Sequence, residues 1–333
     1  MATKSYRQAL NEALAHEMRR DPDVVIMGED VAGGAGGTGE VDAYGGPLGV
    51  TKGLIHEFGA GRVIDTPITE SAIMGMAAGC AMTGLRPVAE LMFADFLGVC
   101  LDPIYNQAAK FRYMFGGKAR TPLVVRTTIG AGFRAAAQHS QSPYHLFTSI
   151  PGLKVVLPSN AYDAKGLLIQ AIRDDDPVIF LEHKLLYDTV AEVPDEAYVI
   201  PFGEAAITRT GKDVTVVAMS RMVHFANEVA DRLLAERIAV EVVDPRTTSP
   251  LDLDTIIESV SKTGRLVLID ESANRCSVAA DIAALVAEHA FTALKAPIRL
   301  VLPPHTPVPF APILEDAYIP GPARLEAAIR SIL

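Results

Sequence analysis

The chain alternates short apolar runs with longer amphipathic stretches, and this alternation predicts its architecture. Ala9, Leu10, Ala13 and Leu14 recur at helical spacing within residues 6–20. Arg19-Arg20 suit the C-terminal end of that helix, and Asp21-Pro22-Asp23 breaks it. Val24-Val25-Ile26-Met27 is then a continuous apolar run of strand length, the pattern of a parallel strand buried on both faces. Further strands are predicted at residues 87–92, 122–126, 151–158 and 178–181, with helices after residue 70, at about 97–115 and at 163–172. A second series follows residue 201, with strands at 214–218, 239–244, 265–271 and 298–301. Its helices are predicted at 223–235, 253–263, 277–291 and 323–333. Strand–helix alternation in both halves predicts an α/β fold. We read residues 1–187 as a doubly wound parallel-sheet domain, 188–201 as a polar linker and 202–333 as a smaller α/β domain. No internal repeat relates the halves.

The pattern changes character at Ile64-Asp65-Thr66-Pro67-Ile68-Thr69-Glu70. An apolar approach turns at Pro67, and a helix of small and apolar residues follows. Thr69 is placed to cap that helix through its hydroxyl, and Glu70 lies in the first turn, where the helix dipole favours a carboxylate. Gly75 and Gly79, four apart, let the helix lie close to a neighbour. Glu70 is therefore either a dipole match or an acid with a chemical task. Groups just past the carboxyl ends of parallel strands line ligand crevices in such sheets. Glu29 follows the first strand, as a crevice acid or a solvated loop acid. His139 follows the strand at 122–126, among small residues and amides, as a structural or a reacting histidine. The glycine-rich residues 31–53 lack the Gly-Lys-Ser/Thr ending of a phosphate loop and do not open a helix as a dinucleotide fingerprint would. They read as an excursion loop. Asp174-Asp175-Asp176 reads as a solvated turn or a cation site.

Composition narrows the classes. With 49% hydrophobic and 21% charged residues the chain is globular, and its net charge of -10 argues against nucleic acid as main partner. No apolar run reaches membrane-spanning length, and Met1-Ala2-Thr3-Lys4 opens no signal-peptide core. Cys80, Cys100 and Cys276 are scattered, show no metal-ligand spacing and fit a reducing cytoplasm.

Many stretches together now resemble one family, and they span nearly the whole chain. They are Met27-Gly28-Glu29-Asp30-Val31, Asp65 to Glu70, Gly84-Leu85-Arg86-Pro87-Val88, Asn106-Gln107-Ala108-Ala109-Lys110, Gln138-His139-Ser140-Gln141, Pro151 to Val156, Tyr162 to Leu168 and Arg246-Thr247-Thr248-Ser249-Pro250. The chain resembles the beta subunit of the thiamine-diphosphate-dependent dehydrogenase component of 2-oxo acid dehydrogenase-type complexes. The glycine-rich loop, Lys110 to Lys118 and Pro304 to Phe310 carry a narrower likeness to the acetoin dehydrogenase branch.

The resemblance implies a transketolase-like fold, with a pyrimidine-binding domain followed by a transketolase C-terminal domain. It implies an alpha-two beta-two heterotetramer in which the alpha subunit supplies the diphosphate and magnesium site. That site's Gly-Asp-Gly signature is absent from this chain. Glu70 matches the acid that binds the aminopyrimidine nitrogen and so promotes deprotonation of the thiazolium carbon. Phe96 matches the aromatic stacked on that ring, and Ile68 and Met92 match apolar contacts to it. Glu29 matches an acid near the cofactor, in a proton path between two sites. His139 matches the histidine that assists acyl transfer to a lipoyl group. Leu123, Ala171, Ile172, Asp174 and Asp176 match a structural potassium site built mainly from backbone carbonyls. The resemblance thus implies cleavage of acetoin with acetyl transfer to a lipoyl-bearing acyltransferase. Oxidative decarboxylation of pyruvate or a branched-chain 2-oxo acid is the alternative in the same class. A non-catalytic docking scaffold and a self-sufficient transketolase are the rivals from outside it. Ser71 to Met74, Arg134 and Ser142 to His145 depart from many relatives around the cleft, which bears on the substrate rather than on the cofactor chemistry.

Overall fold

The computed structural model describes residues 1–33 and 45–333. Part of the glycine-rich stretch read above as an excursion loop, residues 34–44, lies outside the described residues.

The continuous apolar runs become the central strands of two sheets. In spatial order the first sheet holds Thr247–Ser249, Lys154–Val156, Val178–His183, Val124–Ile129, Arg86–Leu91, Val24–Gly28 and Val63–Asp65. All of these pairs are parallel except the one made by Thr247–Ser249. The register sets Gly28 beside both Glu90 and Asp65, and Ile129 beside His183. The carboxyl ends of these strands therefore share one rim. One face of the sheet is covered by Tyr6–Arg20 and Ala161–Arg173, the other by Glu70–Met82 and the segment after Phe93. The helix Tyr6–Arg20 starts with Ser5 and Gln8 capping each other's backbone N–H groups.

The second sheet runs Arg299–Val301, Leu266–Ile269, Val214–Ala218, Val240–Asp244, Ala206–Arg209, the last antiparallel. Met222–Leu234 and Pro322–Arg330 pack on one face, and Leu253–Thr263 and Val278–His289 on the other. This latter core is continuous with that of the first sheet. Within residues 188–201, Val190–Val193 forms a strand antiparallel to Ala2–Ser5. Among the described residues no helix is long and apolar enough to cross a membrane.

Two local expectations are corrected. The helix expected at about 97–115 is broken into a 3-10 turn, Ala94–Gly98, a π-helical turn, Pro103–Ala108, and a short α-helix, Phe111–Met114. Pro103 supplies no N–H and its ring crowds the preceding turn, so a regular ladder cannot run through it. Thr69 sits at the N-cap position of Glu70–Met82 but does not cap it, because its hydroxyl turns back to the carbonyl of Pro67 at 3.2 Å.

Candidate active site

The rim gathers the candidate residues. Glu29 directly follows Gly28, Met92 follows Leu91, and Phe96 lies in the 3-10 turn just beyond. Glu70 opens the helix reached from Val63–Asp65, and the backbone between them is tied down by Thr66 N–H donating to Gly28 O at 2.9 Å. His139 lies on the loop that leaves Val124–Ile129. Glu29, Glu70, Met92, Phe96 and His139 are all partly buried, whereas Ile68 is 72% exposed. Burial raises the pKa of Glu29, and the charges of Asp30 and Glu70 push it further up. Two acids of the sequence reading are thus within electrostatic reach of each other. Ser71 Oγ donates to Val99 O at 2.7 Å, which joins the start of the Glu70 helix to the segment after Phe96. The Cys100 thiol is pushed up to about 12 by burial, with the Glu70 charge adding to it, so Cys100 is an inert core residue.

Three rings meet past the strand ends. The His139 ring lies 4.7 Å from Phe93 and 5.4 Å from Phe96, and the two phenylalanines are 5.9 Å apart, every pair edge to face. The loop carrying His139 is held on both sides. Gln141 donates to Asp95 Oδ1 through its backbone N–H at 3.3 Å and its side-chain amide at 2.7 Å. Lys184 Nζ donates to the carbonyl of His139 itself at 2.7 Å. The loop begins at Gly130, where φ is 99° and a Cβ would stand 2.1 Å from His183 Nε2. Only glycine fits there.

The second sheet's half of the chain supplies the outer support. Glu271 accepts from Ala131 N–H and pairs with His183 Nε2 at 3.1 Å. Glu315 accepts from Gly132 N–H at 2.6 Å and from Arg134 at 2.8 Å. Arg134 therefore ties the loop to the helix Pro312–Tyr318. Beyond His139, a cleft of about 310 Å³ opens between the two halves, lined among others by Gln141, Ser142, His145 and His305.

Comparison with known proteins fits this geometry. Residues 2–189 match the model of the transketolase pyrimidine binding domain, and residues 203–325 that of the transketolase C-terminal domain. The chain is 62% identical to the beta subunit of acetoin:2,6-dichlorophenolindophenol oxidoreductase from Cupriavidus necator, covering 100% of this chain and 98% of that one. It is 57% identical to the subunit of the same name from Bacillus subtilis, covering 99% and 97%. The chain belongs to the family of thiamine-diphosphate-dependent dehydrogenase beta subunits. Another member, the pyruvate dehydrogenase E1 beta subunit of Rhizobium meliloti, is 47% identical over 100% of this chain and 70% of its own length. A solved split-gene transketolase, described as an inactive beta4 tetramer, superposes with a TM-score of 0.77 at 24% identity, covering 99% and 98% of the two chains. That likeness carries the fold alone.

In this beta subunit the acidic turn is not a bare cluster of charge. Leu123, Ala171, Ile172, Asp174 and Asp176 gather at the C-terminal end of the helix Ala161–Arg173. Leu123 O accepts from Val178 N–H at 2.9 Å, and Arg86 donates to Ile172 O at 3.0 Å and to Asp174 O at 3.1 Å. The carboxylates are already paired, Asp174 with Lys154 at 2.6 Å and Asp176 with Arg112. Each carbonyl oxygen keeps a second lone pair. Among the described residues no group of three or more His, Cys, Asp or Glu side chains is arranged to hold a metal ion.

The sequence reading missed Phe93, Asp95, Lys184, Glu271 and Glu315. Lys184 had a signal, since Glu182-His183-Lys184 places charged residues at the carboxyl end of an apolar strand. Glu271 had the same signal, since Asp270-Glu271 ends the apolar run Leu266 to Ile269, whereas Glu315 had none, because its role depends on how the two halves meet.

Proposed function

We propose that this beta subunit, joined to an alpha subunit in an alpha-two beta-two heterotetramer, cleaves acetoin with thiamine diphosphate and passes the acetyl unit to a lipoyl group on an acyltransferase. One observation carries the reading. Glu29, Glu70, Met92, Phe96 and His139 meet on one rim in a chain that shares 62% and 57% identity with two acetoin oxidoreductase beta subunits.

When bound, thiamine diphosphate supplies a carbon nucleophile that adds to a carbonyl and accepts the electron pair of the breaking carbon–carbon bond. Glu70 would hold the proton on the aminopyrimidine nitrogen, from the positive end of its helix. Phe96, Met92 and Ile68 would pack against that ring and exclude water. Glu29, whose raised pKa eases proton uptake, would relay a proton towards the site. His139, framed by Phe93 and Phe96, would assist transfer of the acetyl unit to the lipoyl group.

The alpha subunit would bring the diphosphate and magnesium ligands. A bare face supports this. Ile68 and Met76 are exposed, and no described atom lies within 4 Å of a Cβ added at Gly75 or Gly79. The helix thus presents small residues with no neighbour from this chain among the described residues. The turn of Leu123, Ala171, Ile172, Asp174 and Asp176 would hold a structural potassium ion through its carbonyls. Free Cys80, Cys100 and Cys276 support a cytoplasmic setting.

The test is dye-linked turnover of the chain co-expressed with its alpha partner, on acetoin, pyruvate and branched-chain 2-oxo acids side by side. Acetoin should be the preferred substrate, and Glu70→Gln should lower turnover by about 100-fold or more. Faster turnover of pyruvate or a branched 2-oxo acid would transfer the same machinery to that substrate. Unchanged turnover in Glu70→Gln would leave the chain as a docking scaffold.

A further inference from the structure

We propose that Lys184 is a positioning residue for acyl transfer: its ammonium holds the main chain of His139 and covers Phe93, and so fixes where the His139 ring stands. The inference rests on the role given to His139 above.

Lys184 starts a 3-10 turn, Lys184–Leu186, directly after the strand Val178–His183, so it stands on the same rim as the site. It is 4% exposed. Its Nζ is 2.7 Å from the carbonyl oxygen of His139 and 5.4 Å above the centroid of Phe93, whose ring touches that of His139 edge to face. The lysine thus grips both the backbone of His139 and one of the two rings that frame its imidazole.

Such an arrangement is costly. A buried ammonium is normally matched by a carboxylate in contact. Among the described residues Lys184 has one hydrogen bond, to a neutral carbonyl, and no ion-pair partner within 4.0 Å. Asp95, Glu271 and Glu315 act on it only through space. His139 and His183 also stand near it, and Arg221 lies beyond His183. A methionine or leucine would fill the volume without the desolvation cost. A buried, poorly compensated charge on the rim of a site is the signature of a functional group.

The geometry also gives the lysine a pH dependence. Burial lowers its pKa to about 8, against the opposing pull of the three acids. As pH rises through that value the ammonium is lost, and with it the cation–π contact and the charge on the hydrogen bond. Asp95 holds the other side of the loop through Gln141, by a hydrogen bond in which the lysine takes no part.

The experiment compares Lys184→Met and Lys184→Arg with the unaltered alpha–beta complex. Two rates are measured, dye-linked acetoin turnover and acetylation of a free lipoyl domain. The rate at which diethyl pyrocarbonate modifies His139, read by mass spectrometry, is measured alongside. Lys184→Met should lower the lipoyl rate relative to the dye rate by about tenfold, the scale of losing a charge-assisted hydrogen bond. It should also abolish the alkaline decline of the lipoyl rate near pH 8 and change the modification rate of His139 severalfold. Lys184→Arg should restore most of the ratio, since it keeps donor and charge. An unchanged ratio together with unchanged His139 reactivity would overturn the proposal. If the methionine variant does not assemble, Lys184→Gln carries the same comparison. An unaltered complex inactive on every substrate would overturn the proposed function, and the His139 modification contrast would still decide the role of Lys184.

Discussion

Replacing Arg126 by methionine would leave two carboxylates uncompensated inside the first sheet. The Arg126 guanidinium is 2% exposed and lies 2.6 Å from Glu90 Oε2 and 2.7 Å from Glu182 Oε1, with a second bond to Glu182 at 2.8 Å. Tyr187 also donates to Glu182 at 2.6 Å, so Glu182 would keep one partner and Glu90 would lose its guanidinium. Breaking a buried pair from one side costs about 3–5 kcal/mol. For a chain of this size that corresponds to a fall in Tm of about 4–7 °C. The loss should depend on pH. Burial already raises the pKa of Glu90, and Arg126 is the group that pulls it back. In Arg126→Met the folded-state value rises further above the unfolded one. Protonation then favours the folded state, so the deficit should shrink as pH falls from 7 towards the unfolded glutamate value of about 4.3. Thermal unfolding followed by circular dichroism at pH 7 and pH 5 reads both effects. The triple variant Arg126→Met, Glu90→Gln, Glu182→Gln removes the stranded charges and should recover most of the loss. A single variant that loses less than about 1 kcal/mol, equally at both pH values, would refute the reasoning.

Two other outcomes are expected. Asp270 is fully buried, accepts from Tyr144 and from Ser272 N–H at 2.9 Å, and burial raises its pKa to about 7. Because this lies above the unfolded value, its contribution is present at low pH and is lost as pH rises through about 7, by up to ~1.4 kcal/mol per pH unit. Asp270→Asn should flatten the pH dependence of the urea midpoint between pH 5 and 7, and parallel profiles would exclude the assignment. Gly75→Leu should leave the beta chain folded, and more stable by up to about 1 kcal/mol from helix propensity. It should block assembly with the alpha subunit in sedimentation velocity, and normal assembly would place the interface elsewhere.

The sequence by itself determined which segments are buried and how they repeat. The run Val24 to Met27 is strand because every side chain in it is apolar, and the helix expected at residues 253–263 is found as Leu253–Thr263. Local periodicity carries that information, since it decides which face of an element leaves water. It also placed Glu29 and His139 past strand ends and Glu70 in the first turn of a helix. The tertiary structure decided what those residues meet. Thr247–Ser249 joins a sheet built otherwise from the first half, and Pro103 breaks a helix whose apolar pattern runs on. The grip of Lys184 on His139 spans 45 positions and exists only because Val178–His183 lies beside Val124–Ile129. Strand order is set by long-range packing, which no short window of sequence encodes, so the supports of the site became visible only once the sheets were assembled.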